Sequence, residues 1–232
     1  MKKLAKYIDH TNLKADATAK DIAKLCREAK KYGFASVCVN PAEVATAKKL
    51  LRRSEVKVCT VIGFPLGANT TDVKTYEAVD AIGNGADELD FVVNVRLLKY
   101  APDECLSELY TLASVCKGAR PDLCLKLILE CCYLTDAEKR RGCRLAKKAG
   151  FDFVKTSTGF GSGGATVHDV KLLRKTVGPS MGVKAAGGIR TRAAAEALLA
   201  AGATRLGCSA GVAIVDRSFR DPSVRRFPKI PR

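Results

Sequence analysis

The sequence predicts a single α/β domain of the (β/α)8, or TIM-barrel, type. Three observations carry this expectation. Eight short β-prone runs alternate with segments of helical periodicity along the chain. The runs are nearly continuous in apolar residues, as strands covered on both faces must be. The length, 232 residues, is close to the roughly 250 that eight such units occupy. Strict alternation implies parallel strands joined by crossover helices. A doubly wound open sheet is the competing arrangement, but the first half lacks the G-x-G-x-x-G turn expected between a strand and a helix.

In chain order the predicted strands are YIDHTNL (7–13), ASVCVN (35–40), VKVCTVIGFP (56–65), ELDFVVN (88–94), LCLKLILE (123–130), FDFVKTS (151–157), MGVKAAG (181–187) and TRLGCSA (204–210). The first is the least typical, being short and polar at its end. The predicted helices are DIAKLCREAKKYG (21–33), NPAEVATAKKLLRR (40–53), TDVKTYEAVDAIGNG (71–85), PDECLSELYTLASVCKG (102–118), TDAEKRRGCRLAKKAG (135–150), TVHDVKLLRKTVG (166–178) and TRAAAEALLAAG (191–202). Several open on Thr, Asp or Asn, whose side chains can accept the unpaired first N–H groups, and close on Gly, which tolerates the left-handed exit.

Apolar residues make up 47% of the chain and show no seam, so residues 1–215 read as one barrel and 216–232 as a basic, proline-containing tail. No run approaches the roughly 20 apolar residues of a membrane helix, and MKKLAKYIDHTNL lacks a signal-peptide core. A cytoplasmic protein without membrane association is expected. The ten cysteines lie mostly within apolar periodic segments and form no C-x-x-C pair. They read as small buried hydrophobes in a reducing compartment, with no metal site and no cofactor. The net charge of +16 raises the question of nucleic-acid binding. Yet the basic residues alternate with Ala, Leu and Cys at helical spacing, the pattern of solvated helix faces, and aromatics are only 6% with no Trp. The excess charge suits attraction of small anionic substrates instead.

Barrel enzymes place their chemistry at the carboxyl ends of strands. This chain puts Asp9 and Thr11 on strand one, Cys38 and Asn40 on two, Asp90 and Asn94 on four, Lys126 and Glu130 on five, Lys155 and Thr156 on six, and Lys184 on seven. Three lysines and several carboxylates on inward strands must form a paired network, because an unpaired buried charge costs several kcal/mol. Lys155 and Lys184 on adjacent strands set two ammonium groups side by side, an arrangement expected to lower the pKa of one of them and free an amine to attack a carbonyl. Asp90 is placed to shuttle a proton or to pair with a lysine. Glycines at 159, 161, 163 and 164, at 187 and 188, and at 207 and 211 around Ser209 follow three consecutive strands, where backbone N–H groups can converge on a phosphate. His10 and His168 are not expected to be catalytic.

With those residues identified, the sequence resembles the deoxyribose-phosphate aldolase family. The resemblance runs from IDHTNL through ASVCVNP, TVIGFPLG, ADELDFVVNV, LKLILE, FVKTSTGF and VKAAGGIRT to RLGCSAG. It implies reversible, metal-free cleavage of 2-deoxy-D-ribose 5-phosphate to D-glyceraldehyde 3-phosphate and acetaldehyde, by a homo-oligomer of two or four chains. It also implies Lys155 as the Schiff-base lysine, Lys184 as the lysine that lowers its pKa, and Asp90 as the proton relay. Lys126, Asp9, Thr11 and Cys38 become supporting pocket residues, and Gly159, Gly187, Gly188 and Ser209 the phosphate site. Two departures stand out: Ser209-Ala210 replaces a pair of serines, and no tyrosine follows Tyr133, so slow enamine protonation is expected. A ketose-accepting, transaldolase-like enzyme and a basic binding protein are the rival readings.

Overall fold

The computed structural model describes residues 2–216, so the tail predicted for 216–232 lies, after Asp216, outside the described residues. The elements in order are α1 (Lys2–Ala5), β1 (Ile8–Asn12), α2 (Ala19–Tyr32), β2 (Ser36–Val39), α3 (Val44–Leu50), β3 (Lys57–Ile62), α4 (Thr71–Gly83), β4 (Glu88–Val92), α5 (Val95–Tyr100), α6 (Pro102–Ala119), β5 (Cys124–Ile128), α7 (Asp136–Lys148), β6 (Phe153–Lys155), α8 (Val167–Val177), β7 (Gly182–Ala186), α9 (Arg192–Ala200), β8 (Arg205–Cys208) and α10 (Gly211–Val215). Single 3-10 turns at Pro41–Glu43 and Cys131–Tyr133 precede α3 and α7. The eight strands are parallel and close in sequence order, β8 pairing back to β1.

Cap chemistry explains where the helices start. Thr18 and Thr135 form reciprocal capping boxes with Asp21 and Glu138, and Thr70, Thr166 and Thr191 each accept an N–H of the first turn. The short helices α1, α5 and α10 carry too few residues for periodicity to reveal them.

Period-two alternation divides the strands between two environments. Outward residues such as Val37, Val58, Leu89, Leu127, Val154, Val183 and Leu206 pack with helix residues including Ile22, Leu25, Leu109, Leu112 and Leu173 in the main core. The inward residues are mostly polar, and the apolar ones form only a small cluster of Leu13, Cys38, Cys59 and Val61 with Phe64 against it. Below them Phe153 packs directly over Gly182, where any Cβ would collide with its ring, and the Arg205 guanidinium lies 5.5 Å from the Phe153 ring centre. The barrel is thus stabilised mainly from outside, by apolar burial between sheet and helices, and its interior is left for charge.

Strand six is shorter than the 151–157 expected from its composition. Beyond Lys155 the Thr156 hydroxyl adds a side-chain link to β7: Oγ1 donates to the Ala186 carbonyl at 3.2 Å and accepts from the Ala186 N–H at 3.1 Å. The Thr156 main chain still donates to the Lys184 carbonyl at 3.1 Å and accepts from the Cys131 N–H at 2.8 Å, and the glycine-rich loop begins beyond it.

Candidate active site

The register sets Asp90 opposite Lys126 and Lys155 opposite Lys184, with Lys155 opposite Ile128, two residues beyond Lys126 on β5. All three lysines and Asp90 are buried. Asp90 is their common partner. Its Oδ1 accepts from Lys126 Nζ at 2.9 Å and from the Cys59 thiol at 3.3 Å, while Oδ2 accepts from Lys155 Nζ at 2.8 Å and Lys184 Nζ at 2.7 Å.

The network continues through Asp9 and through two groups that the sequence analysis did not single out, Glu88 and Arg205. Lys184 also meets Asp9 Oδ2 at 2.5 Å, an ion contact without aligned hydrogen-bond geometry, and Lys126 meets Glu88 at 2.6 Å. Arg205 bridges Asp9 at 2.6 Å and Glu88 at 3.1 Å. Four cations therefore face three carboxylates. Lys126, Lys184 and Arg205 each contact two carboxylates, whereas Lys155 contacts one, Asp90. Glu88 was legible as the inward residue two before Asp90, and Arg205 as the inward residue two before Gly207.

Burial works against the charges on Asp9, Asp90, Lys126 and Lys184, and the counter-charges outweigh it. For Asp90, burial would raise the pKa, but the ammonium groups of Lys126, Lys155 and Lys184 hold it well below the ordinary carboxylate range. Asp9 is depressed in the same way against its own burial, by Lys184 and Arg205. Burial would lower the pKa of Lys184, but Asp9 and Asp90 lift it well above the usual lysine value; for Lys126 the lift comes from Asp90, Cys59 and Glu88. This corrects the expectation of two bare ammonium groups side by side. Lys184 is a firmly held cation between two carboxylates.

Lys155 is the member of the network that reaches the pocket. The pocket, about 490 Å³, is lined by Lys155, by Thr11 at the end of β1 and Leu13 and Lys14 after it, by Thr158, Gly159 and Phe160 after β6, by Gly187, Gly188 and Arg190 after β7, and by Gly207 and Ser209 around β8. The structure thus brings the predicted glycines and Ser209 to the same cavity as the predicted lysine. Gly207 has a separate steric reason to lack a side chain, since a Cβ there would stand 3.1 Å from Cε of Lys184.

The remaining predicted residues fall nearby. Thr11 lines the pocket while its hydroxyl donates to the Asp9 carbonyl at 2.9 Å. Cys38 is fully buried in the small apolar cluster, opposite Cys59 on the neighbouring strand. A hydrogen bond with Cys59 lowers the Cys38 pKa, whereas burial pushes the Cys59 thiol up. Asn94 caps α5 and Asn40 donates to the Lys14 carbonyl, so both are structural. His10 points outward to Glu28 at 2.8 Å, and His168 sits exposed against Asp136 at 3.0 Å. Cys38, Cys59 and Asp90 hold ligand atoms within 4.8 Å of one another, yet both Asp90 oxygens already serve ammonium groups. A divalent cation would have to displace them.

Comparison with known proteins agrees with the geometry. The profile described as DeoC/LacD family aldolase matches residues 3–217. The deoxyribose-phosphate aldolases of Geobacillus sp. (strain WCH70) and Carboxydothermus hydrogenoformans are each 58% identical over 214 residues, which cover 92% of this chain and 95% and 94% of theirs. The tetrameric deoxyribose phosphate aldolase of Aeropyrum pernix superposes with a TM-score of 0.86 at 36% identity, covering 92% of this chain and 89% of that one. An eight-stranded parallel barrel, a buried lysine cluster opening on a glycine-lined pocket, and these matches over nearly the whole length lead to one conclusion: the chain belongs to the DeoC/LacD family of aldolases.

Proposed function

We propose that this chain is a class I aldolase that reversibly cleaves 2-deoxy-D-ribose 5-phosphate to D-glyceraldehyde 3-phosphate and acetaldehyde through a Schiff base on Lys155. The observation that carries the assignment of the lysine is the asymmetry of the buried network: Lys155 alone faces the pocket and has a single carboxylate partner. With its amine neutral, the interior balances at three cations and three carboxylates, so the reactive form relieves rather than creates buried charge.

In this reading Lys155 Nζ attacks the C1 aldehyde of the open-chain sugar, and loss of water leaves an iminium cation beside the Asp90 carboxylate. Deprotonation of the C3 hydroxyl breaks the C2–C3 bond. The electron pair passes into the iminium, giving an enamine and releasing D-glyceraldehyde 3-phosphate. Protonation at C2 and hydrolysis then free acetaldehyde and restore the amine. Asp90 Oδ2, shared between Lys155 and Lys184 at 2.8 and 2.7 Å, offers the shortest proton path out of the reacting centre. Its strongly anionic character makes it the counter-ion of the iminium as well. Lys126, Asp9, Thr11 and Cys38 support this centre. Gly159, Gly187, Gly188 and Ser209 receive the phosphate, with Arg190 and Lys14 adding positive charge at the same pocket.

The test is covalent trapping. The protein incubated with acetaldehyde and reduced with borohydride should gain an adduct on Lys155 alone. An absent adduct, or one on Lys184, rejects the assignment, and preferential trapping of dihydroxyacetone phosphate would point to a ketose donor. We also infer a homo-oligomer, supported by the tetrameric description of the Aeropyrum pernix relative and by the exposed Val73, Tyr76 and Val79 along α4; light scattering measures it. The ten free cysteines support a reducing, cytoplasmic setting.

A further inference from the structure

We propose that Glu130 is a positioning residue for the phosphate half of the pocket: its carboxylate fixes the loop from Thr158 to Gly164. The inference rests on the phosphate reading given above and extends it to a residue that does not itself line the cavity.

Glu130 follows β5 with φ 55° and ψ 66°. This left-handed conformation favours glycine and is costly for a residue with a Cβ. Only Arg53 shares it among the described non-glycine residues. Strain of this kind persists where the surrounding contacts determine it: the Glu130 carbonyl accepts the Tyr133 N–H at 3.0 Å, and its side-chain hydrogen bonds all run to one loop. The Glu130 side chain is buried. Thr158 N–H donates to Oε1 at 3.2 Å, and the Thr158 hydroxyl makes a short hydrogen bond to Oε2. The same hydroxyl accepts the Phe160 N–H at 3.0 Å. One carboxylate thus holds the residues on either side of Gly159, which lines the pocket between them.

The same corner shapes the rest of the loop by contact. A Cβ on Gly161 would stand 3.0 Å from Cys132 Sγ and 3.1 Å from the Glu130 carboxyl carbon, and one on Gly163 would stand 3.1 Å from Cys132 Cβ. Further on, Gly164 lies so close to the Gly187 carbonyl that a side chain would collide with it, and Ala165 N–H donates to that carbonyl at 3.1 Å. The turn from Glu130 to Cys132 is therefore the surface against which the loop is moulded before it reaches Gly187, a second member of the phosphate site. Both Glu130 oxygens are engaged by Thr158, and Glu130 itself stays out of the cavity lining.

The experiment compares variants on phosphorylated and unphosphorylated sugar. Glu130→Gly removes the carboxylate where glycine is conformationally favoured, so the backbone is spared. It should raise KM for 2-deoxyribose 5-phosphate roughly 10- to 100-fold, the range for losing hydrogen bonds to a charged group. Its kcat, its borohydride trapping with acetaldehyde and its kcat/KM for 2-deoxyribose should stay within about two-fold, because the Lys155 network is untouched. Glu130→Gln keeps an acceptor for the Thr158 N–H and a partner for its hydroxyl, and should recover most of the lost affinity. If Glu130→Gly folds poorly, Glu130→Asp carries the same test, since Asp tolerates this backbone and its shorter arm withdraws the carboxylate. An unchanged KM for the phosphorylated sugar, or an equal loss on both sugars, overturns the proposal. Wild-type protein that fails to prefer the phosphorylated sugar overturns the phosphate reading itself, and this proposal with it.

Discussion

Replacing Asp90 by Asn keeps the shape of the side chain and removes the charge on which three lysines converge. In the wild-type interior Asp9, Glu88 and Asp90 face Lys126, Lys155, Lys184 and Arg205. The variant leaves two carboxylates against four cations and turns either an amide N–H toward the ammonium groups or a single oxygen toward all of them. Removing one member of a buried ionic network costs about 3–5 kcal/mol. For a domain of this size that corresponds to a melting temperature lower by roughly 6–20 °C. The pH dependence has a definite sign. The depressed pKa values of Asp9 and Asp90 mean that their contribution is complete above the ordinary value of 3.8 and is lost as pH falls through the lower folded values. The raised values of Lys126 and Lys184 give a contribution complete below 10.5 and lost as pH rises through the higher folded values. The gap between wild type and D90N should be widest between these limits and narrow outside them, because protonated Asp90 resembles Asn and neutral lysines no longer need it. Thermal melts followed by circular dichroism at about pH 3, 7 and 11 measure the gap. A difference below about 1 kcal/mol near neutrality, which is the scale of an exposed ion pair, or one independent of pH, would refute the picture of a mutually dependent buried network.

Three further outcomes follow from the same structure. Lys74 and Glu108, buried and paired at 2.8 Å between α4 and α6, should show strong coupling: K74M alone costs about 3–5 kcal/mol in urea unfolding, whereas K74M/E108L returns to within about 2 kcal/mol of wild type. A disulfide-exchange reagent at about pH 8 should label one thiol per native chain quickly, Cys132, because the other nine are not exposed and burial pushes several upward, Cys26 to about 11 and Cys105 to about 12; ten should react after denaturation. Ser209→Ala should raise KM for the phosphorylated sugar roughly 10- to 100-fold with kcat unchanged, as for a lost hydrogen bond to an anion.

The barrel was legible because each level of the sequence pointed the same way: eight β-prone runs, threonine-opened helices and glycine stops agree, and the closed parallel sheet follows. The site was legible where alternation and strand ends coincide. Asp9, Thr11, Asp90, Lys126, Lys155 and Lys184 were found by counting inward positions, and the structure sets all of them at the network or the pocket. What escaped was partnership. Nothing in the spacing of Lys155 and Lys184 shows that Asp9 from β1 would neutralise the second lysine, because that contact depends on barrel closure. Lys139 sat in a basic helix that read as solvated, yet it is buried against Asp169, and Lys74, on the helix expected over 71–85, is buried against Glu108. Helix periodicity locates the face turned to the sheet but not the seam where two neighbouring helices meet.

An interior filled with ion pairs is a poor way to stabilise a barrel, since apolar side chains of the same volume would avoid the desolvation cost. The arrangement makes sense as a way to single out one amine. Two carboxylates apiece hold Lys126, Lys184 and Arg205 as cations. The surplus positive charge then falls on the member with the fewest counter-charges and the only exposure to the pocket, Lys155. Reactivity at Lys155 is thus set by the ions around it rather than by apolar surroundings, which yields a last test. Glu88→Gln lies in the network without touching Lys155, and it frees Arg205 and Lys126 to lean more heavily on Asp9 and Asp90. If the charge count governs, E88Q should shift the pH dependence of borohydride trapping at Lys155 to lower pH, because the added positive surplus favours the neutral amine. Trapping with an unchanged pH profile in a folded E88Q protein would mean that the local contact with Asp90 alone decides.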